Sequence, residues 1–239
     1  HRFASAAGNG GFRVGVLSGD LGLSQPVQRV YEKSIENLSN LGFEVESVDL
    51  PILEYAIPAY YTIATAEASA NLARYAGVRY GYRSSSASDF QDTVRLSRNE
   101  AFGDEVKTRI LLGTYVLRSG FQDQYYIKAQ KIRTALKRKL DELFERVDLL
   151  YMPVYPVNAF PRGKEGLTPF QQKLADKFTA TANMAGIPAL SFPAGYEDGL
   201  PVGMQFMAPV FQEERLFAAA SRYAEEFPPR TCPGKLEWE

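Results

Sequence analysis

The sequence predicts an α/β fold with a mixed central β-sheet flanked by helices, and three stretches carry that prediction. Residues 12–50 read as strand, helix and strand in succession, the pattern of a crossover unit packed on a sheet. Residues 148–153 (DLLYMP) read as a buried strand delivered by a long amphipathic helix. Residues 176–209 read as helix, break, buried strand, turn and second buried strand, and the remainder of the chain is organised around them.

Taken in order, His1–Gly11 (HRFASAAGNGG) is small, glycine-rich and aperiodic, a flexible lead-in. Phe12–Leu17 is a strand of buried type. Ser24 and Pro26 open a helix, since proline is tolerated in a first turn. Val27, Val30, Tyr31, Leu38 and Leu41 keep its period, and Gly42 ends it. Phe43–Leu50 alternates as a strand does. Pro51–Gly77 is mainly helical, entered through Pro58, with the aromatic cluster Tyr55, Tyr60 and Tyr61. The serines of residues 84–88 (SSSAS) invite a catalytic reading, but no glycines accompany them to shape an oxyanion site, and a linker explains them. Residues 92–119 form two helices broken near Gly103. Gln122–Val147 is the longest helix, with Tyr125, Ala129, Ile132, Leu136, Leu140 and Leu143 as its buried stripe. Arg133, four residues after Ala129 and three before Leu136, puts a guanidinium on that apolar face.

After strand 148–153 and a loop over 154–166, Phe170, Leu174 and Phe178 sit four apart on one apolar helix face. Gly186 and Pro188 end that helix, because glycine accepts the cap geometry and proline cannot continue the ladder. Ala189–Phe192 is a short strand, Glu197-Asp198-Gly199 a turn, and Val202–Met207 the returning strand. Asp176, Thr179, Ala180 and Asn183 share a second face, small and polar, which suits either a pocket wall or plain solvent. A terminal helix, Glu213–Glu226, is stopped by Phe227-Pro228-Pro229. Residues 12–239 contain no repeat and no linker that would divide them into independent domains.

Composition bounds the function. Of 239 residues 45% are hydrophobic and 13% aromatic, enough for a sizeable core. A net charge of −1 removes any general electrostatic reason to bind nucleic acid or an acidic membrane. The lone Cys232 excludes an internal disulfide and a multi-cysteine zinc site. No apolar run is long enough to span a bilayer and no signal peptide opens the chain, so a soluble, cytoplasmic protein is expected. The single histidine is His1 and the first methionine is Met152, which reads as a piece of a longer polypeptide. With that one histidine, Ser-His-Asp and Cys-His arrangements are not credible. There is no G-x-S-x-G elbow, P-loop, H-E-x-x-H motif or metal-ligand cluster. Carboxylate neighbours such as Asp141-Glu142 and Glu213-Glu214 read as solvated helix faces.

The string N-x-A-G-x-P-A-x-S-x-P-x-G at 183–195, followed by D-G-L-P-V-G-x-Q at 198–205, resembles the C-terminal signature of the amidase signature family. Three further blocks, Ala66–Gly81 (AEASANLARYAGVRYG), Ser97–Gly113 (SRNEAFGDEVKTRILLG) and Tyr125–Thr134 (YYIKAQKIRT), resemble in the same order its branch of A subunits of the glutamyl-tRNA(Gln) amidotransferase. The likeness runs from Phe12 to about Phe227.

That resemblance carries implications for fold, chemistry and partners. The fold would be the C-terminal portion of the amidase signature fold. The family's serine nucleophile, bridging serine and lysine base lie in the N-terminal half, and nothing here matches them, so no catalytic residue is expected in this chain. Arg133, in the A-Q-x-x-R-T block, and Asp176, opening the D-x-F-T helix, correspond to residues that grip the α-carboxylate and α-amino group of glutamine; Tyr80, in V-R-Y-G, approaches the same pocket. A guanidinium fork matches a carboxylate, and a carboxylate matches an ammonium. The alternative for Arg133 is a structural ion-pair partner, and for Asp176 a helix-start charge favoured by the macrodipole. Val154 and Tyr155 stand where many relatives carry a smaller, more polar pair, which alters the pocket mouth. The intact subunit would hydrolyse glutamine through an acyl-enzyme and release ammonia. A partner B subunit would use that ammonia with ATP and magnesium to convert Glu-tRNA(Gln), or Asp-tRNA(Asn), to the amide; a C subunit ties the two together, and tRNA binds through the partner. The alternatives are a stand-alone amidase of another substrate, against which the charged pair argues, and a non-catalytic scaffold fragment.

Overall fold

A computed structural model describes residues 11–160 and 175–229. The lead-in over 1–10, the positions Phe170 and Leu174, the far part of the 154–166 loop and Cys232 lie outside the described residues. The chain divides into two compact units: a sheet unit of His1–Ile57 with Ala135–Glu239, and a helical unit of Pro58–Thr134.

The sheet unit holds β1 (Arg13–Leu17), α1 (Gln25–Asn40), β2 (Glu44–Val48), β3 (Leu149–Pro153), α6 (Lys177–Ala185), β4 (Ala189–Glu197), β5 (Leu200–Met207) and α7 (Glu213–Glu226). The strands form one sheet in the order β2-β1-β3-β5-β4. β1 pairs in parallel with β2 and β3, whereas β5 runs antiparallel to β3 and β4, so the sheet is mixed as the sequence predicts. Parallel neighbours need a crossover. α1 supplies the first, and the chain from β2 to β3 supplies the second with the helical unit inside it.

Alternation divides the side chains between the two faces. Val14, Val16, Leu149, Tyr151, Met204 and Phe206 join Val27, Tyr31 and Leu38 of α1 and Leu216, Ala219 and Tyr223 of α7 in one apolar cluster. The intervening Leu150, Met152 and Met207 are fully buried too, which is why β3 is apolar throughout rather than alternating. Tyr151 lies opposite Phe206 in the β3–β5 register, their rings 5.0 Å apart.

The turn between β4 and β5 is tighter than the sequence suggests. Asp198 and Gly199 have φ of 52° and 80°, the left-handed pair of a type I′ hairpin, and Glu197 faces Leu200 directly. β4 therefore runs past Phe192 to Glu197, and β5 begins at Leu200. The strand expected over Ala189–Phe192 thus continues through Pro193. Among the described residues β4 is the outermost strand, where a missing donor costs little, and the register shifts between Pro193 and Gly195.

In the helical unit, α2 (Ala56–Leu72) follows a 3-10 turn at Pro51–Tyr55, and α3 (Phe90–Ala101), α4 (Asp104–Val116) and α5 (Lys128–Phe144) come after it; α2 and α5 cross the boundary between the units. α4 crosses α2 at Gly113, where a Cβ would lie 2.0 Å from the Thr65 carbonyl oxygen, and Ser69 meets Thr114 at 3.1 Å beside it. The serine loop is structural. The Ser84 hydroxyl donates to Glu100 (2.9 Å) and the Ser84 N–H to the Ser97 hydroxyl (3.0 Å), while Asp89 caps α3 through the Asp92 N–H (2.7 Å).

The long helix differs from expectation at its start. Residues Asp123–Ile127 form a π-type turn, with Ile127 N–H donating to Gln122 O at 3.0 Å. The extra residue shifts the phase by about 100°. Tyr125, expected in the buried stripe, is 41% exposed, whereas Ala129, Leu136, Leu140 and Leu143 are buried. Arg133 is likewise exposed rather than on a buried face. At about 100° per residue it sits roughly 50° from the centre of the buried Ala129, Leu136, Leu140 and Leu143, at the margin of the stripe. Among the described residues no helix is long and apolar enough to cross a membrane.

Two variants test this frame. Arg13 joins the start of β1 to the start of β3, its N–H and Nε donating to Asp148 Oδ2 (2.9 and 3.3 Å) and its Nη2 to Oδ1 (3.0 Å). Burial disfavours the Asp148 carboxylate, but the bonds and charge of Arg13, with the charge of Arg215, outweigh it and hold the carboxyl below its usual value. A depressed folded pKa contributes stability above the unfolded pKa and loses it as pH falls through the folded value. Asp148→Asn should therefore cost about 1 kcal/mol at neutral pH, given the pair's exposure to water, with the difference closing in acid. Urea titrations from neutral to strongly acidic pH check this, and a pH-independent difference would contradict it. Among the described residues the buried Tyr151 hydroxyl has no hydrogen bond of good geometry, and the Ser34 hydroxyl, near enough to act on the phenol, gives its proton to Tyr31 O (2.7 Å). Tyr151→Phe removes a polar group whose burial costs roughly 1–3 kcal/mol, so it should be neutral or stabilising in the same titration.

Candidate functional site

The topology itself marks a place for a site. From β1 the chain moves to one side to form β2 and later returns on the other side as β3, so the connections leave the carboxyl ends of β1 and β3 in opposite directions. Open α/β sheets bind ligands in the crevice at such a switch point. Three segments converge there: the loop after β1 (18–24), the loop after β3 (154–160) and the first turn of α6.

Short polar contacts tie them together. Ser24 N–H donates to Pro156 O (2.8 Å), and the Ser24 hydroxyl donates to Asn158 Oδ1 (3.2 Å). Val154 N–H donates to Gly203 O (3.1 Å), and the buried Gln205 amide donates to Pro153 O (3.1 Å), which fixes the exit of β3 against β5. Lys177, the first residue of α6, donates to Leu21 O and lies 4.8 Å from the centre of the Phe178 ring. Burial lowers the Lys177 pKa, while the charges of Asp20 and Glu54 act against that.

Two cavities open at this end of the sheet. One, of about 230 Å³, is lined by Val154, Tyr155, Asn158, Phe160 and Gly203, among others. The second, of about 200 Å³, is lined by Ser18, Asp20, Asp49, Glu54 and Lys177 with apolar neighbours. Asp176 stands at the N-cap of α6, half-buried, and its side chain makes no capping bond to that helix. Burial pushes the Tyr155 phenol up, and the negative charge of Asp176 pushes it the same way, which puts the two side chains in one neighbourhood. The small, polar face expected of this helix is mixed. Ala180 is buried, Asn183 is exposed, and Thr179 and Asn183 turn back to the carbonyls of Asp176 (3.1 Å) and Thr179 (3.4 Å). Gly186, at φ 69°, caps the helix end as expected.

Arg133 and Tyr80 belong to the helical unit and Asp176 to the sheet unit. Tyr80 is 50% exposed and packs edge-on against Tyr75, ring centres 5.8 Å apart. Arg133 lies on α5 with its charge felt at the Tyr126 phenol. Lys177, which anchors the loop beside Asp176, was not visible as a site residue in the sequence; adjacency to Asp176 at a helix start was the available signal. Among the described residues no group of three or more His, Cys, Asp or Glu side chains could hold a metal ion.

Fold and site together define an α/β protein with a crevice at the carboxyl ends of its strands and a carboxylate at the mouth of a helix. Residues 2–217 match the Amidase family, and the chain belongs to that family. It is 49% identical over 218 residues to the A subunit of the glutamyl-tRNA(Gln) amidotransferase of Heliobacterium modesticaldum, covering 90% of this chain and 45% of that protein. It is 47% identical over 204 residues to the protein of the same name from Pseudomonas putida, covering 85% of this chain and 42% of that protein. The chain thus spans less than half the length of the curated relatives it matches. The crystal structure of the glutamyl-tRNA(Gln) amidotransferase A subunit from Thermotoga maritima superposes with a TM-score of 0.69 at 31% identity, over 92% of this chain and 43% of that one. A bacterial aryl acylamidase of the amidase signature enzymes shares the fold, with a TM-score of 0.71 at 23% identity, over 94% of this chain and 45% of that one.

If Lys177 holds the β1–α1 loop in place, Lys177→Met should speed amide exchange at Gly22 and Ser24 by about tenfold, as loss of a charged hydrogen bond implies, and leave β3 unchanged. Hydrogen–deuterium exchange of the wild-type and variant chains decides this; equal protection of the loop in both would show that it needs no lysine.

Proposed function

We propose that this chain is part of the glutamine-hydrolysing A subunit of a tRNA-dependent amidotransferase, supplying substrate-pocket walls. The observation that carries the reading is the 49% identity, over 90% of the chain, to a glutamyl-tRNA(Gln) amidotransferase A subunit. The position of Asp176 at the mouth of the switch-point crevice, beside Tyr155, supports it. In this reading Asp176 accepts from the ammonium of glutamine and Arg133 donates to its carboxylate, with Tyr80 approaching the same ligand. The serine pair and lysine of the family's chemistry belong to the part of the polypeptide that this chain does not span. The ammonia released serves a B subunit that binds ATP, magnesium and tRNA, with a C subunit joining the two.

The charged pair separates this reading from a stand-alone amidase, since an apolar amide uses neither charge. A charged hydrogen bond contributes about 1.5–3 kcal/mol, so Arg133→Ala and Asp176→Asn in the full-length protein should each lower kcat/KM for glutamine about tenfold to a hundredfold. Residues 1–239 alone should release no glutamate. Glutamine hydrolysis by the two variants, the full-length protein and the isolated chain, alongside thermal melting, tests all of this. Unchanged glutamine kinetics in both variants at native stability, or turnover by the isolated chain equal to the full-length control, would overturn it.

A further inference from the structure

The start of α6 is held by a side chain that the glutamine pocket proposed above does not use. Lys177 follows Asp176 directly, is half-buried, and donates from its ammonium to Leu21 O, 156 positions earlier in the chain. A turn presents that acceptor. Gly22 N–H donates to Asp20 Oδ1 at 2.8 Å, and Gly22 takes a φ of 66°, in the left-handed region open to glycine. The ammonium also lies 4.8 Å from the centre of the Phe178 ring, and Phe178 is fully buried. Two consecutive residues thus tie down the first turn of α6, Phe178 to the core and Lys177 to the loop after β1.

The charges of Asp176 and Lys177 serve different neighbourhoods. Lys177 lines the cavity of about 200 Å³ together with Asp20, Asp49 and Glu54, and the charges of Asp20 and Glu54 favour its ammonium. Tyr155, on which the charge of Asp176 acts, lines the other cavity, of about 230 Å³. Lys177 is therefore placed to hold the backbone that carries Asp176 while its own ammonium faces the second cavity. Its reach extends further along the crevice. The loop that it grips at Leu21 continues to Ser24, which is bonded to Pro156 and Asn158 of the loop after β3. A terminal helical turn opens readily unless something holds it, and a charged hydrogen bond holds more firmly than a neutral one. A carboxylate fixed before its ligand arrives loses less freedom on binding.

We propose that Lys177 is a positioning residue: by binding Leu21 O it holds the first turn of α6 and so sets the place of the Asp176 carboxylate for the ammonium of its ligand. The proposal rests on the reading of Asp176 as the partner of the glutamine ammonium. It assigns Lys177 no contact with the ligand, so its effect passes through Asp176.

The test is glutamine hydrolysis and thermal melting of the full-length protein carrying Lys177→Met, Lys177→Arg, Asp20→Ala, Asp176→Asn, and Lys177→Met combined with Asp176→Asn. Lys177→Met keeps the length of the stem and removes the donor. It should raise the KM for glutamine about threefold to tenfold with kcat changed by less than about twofold. Asp20→Ala removes the turn that presents Leu21 O and should give a similar rise with the lysine intact. Lys177→Arg restores a charged donor, has the cavity to accommodate it, and should return KM to within about twofold of the wild type. In the Asp176→Asn background Lys177→Met should add nothing, because the group it places is gone. An unchanged KM in Lys177→Met or in Asp20→Ala, or an effect that multiplies with that of Asp176→Asn, overturns the proposal and leaves the glutamine pocket standing. A loss in kcat and thermal midpoint that Lys177→Arg does not restore makes Lys177 structural and also overturns it. Wild-type glutamine kinetics in Asp176→Asn remove the pocket reading itself, and the proposal with it.

Discussion

The burial of β3 is the constraint on which the rest depends. Leu149–Pro153 offers no polar side chain to water on either face, and each of its five residues is buried. Such a strand is stable only with partners along both edges and cover on both faces. β1 takes one edge in parallel and β5 the other in antiparallel, so the mixed character of the sheet comes from this strand's two neighbours. The parallel pairing demands a crossover, and the crossover from β2 to β3 is where the helical unit lies. The antiparallel pairing permits a tight turn, and Asp198-Gly199 provides it.

The crevice follows from the same arrangement. Because β1 lies between β2 and β3, the loops after β1 and β3 depart in opposite directions and leave a gap at their carboxyl ends. The polar groups around it are largely occupied in holding its walls: Ser24 on Pro156 and Asn158, Gln205 on Pro153, Lys177 on Leu21. Asp176 stands at the N-cap of α6, and its side chain makes no capping bond to that helix. The macrodipole favours a negative charge there whatever its task. The charge of Asp176 acts on the Tyr155 phenol, so the carboxylate bears on the loop after β3.

Much of the fold was legible because period and punctuation agree locally. The helix start at Ser24-Pro26, the cap at Gly186 and the alternation over Phe43–Leu50 each rest on a few adjacent residues. The misplaced start of the long helix has one cause. A 3.6-residue period projected from Leu136 back through Tyr125 assumes an unbroken helix, and no residue type announces the π-type turn at Asp123–Ile127 that breaks it. That turn exposes Tyr125 and aims Tyr126 at Glu67, fifty-nine positions away in the chain. The expected strand Ala189–Phe192 fell short for a separate reason: β4 continues through Pro193 to Glu197, with a register shift between Pro193 and Gly195.

The sequence by itself determined the fold class, the family likeness and the candidate residues Arg133, Asp176 and Tyr80, because hydrophobic period, turn chemistry and ordered motif blocks are properties of neighbours along the chain. Only the tertiary structure decided which strand lies at the edge, which loops meet at the switch point, and which side chains surround each candidate. Lys177 on Leu21 and Tyr126 on Glu67 join segments far apart in sequence. Such contacts depend on how elements pack rather than on what any one of them prefers, and packing is settled by burial summed over the whole core.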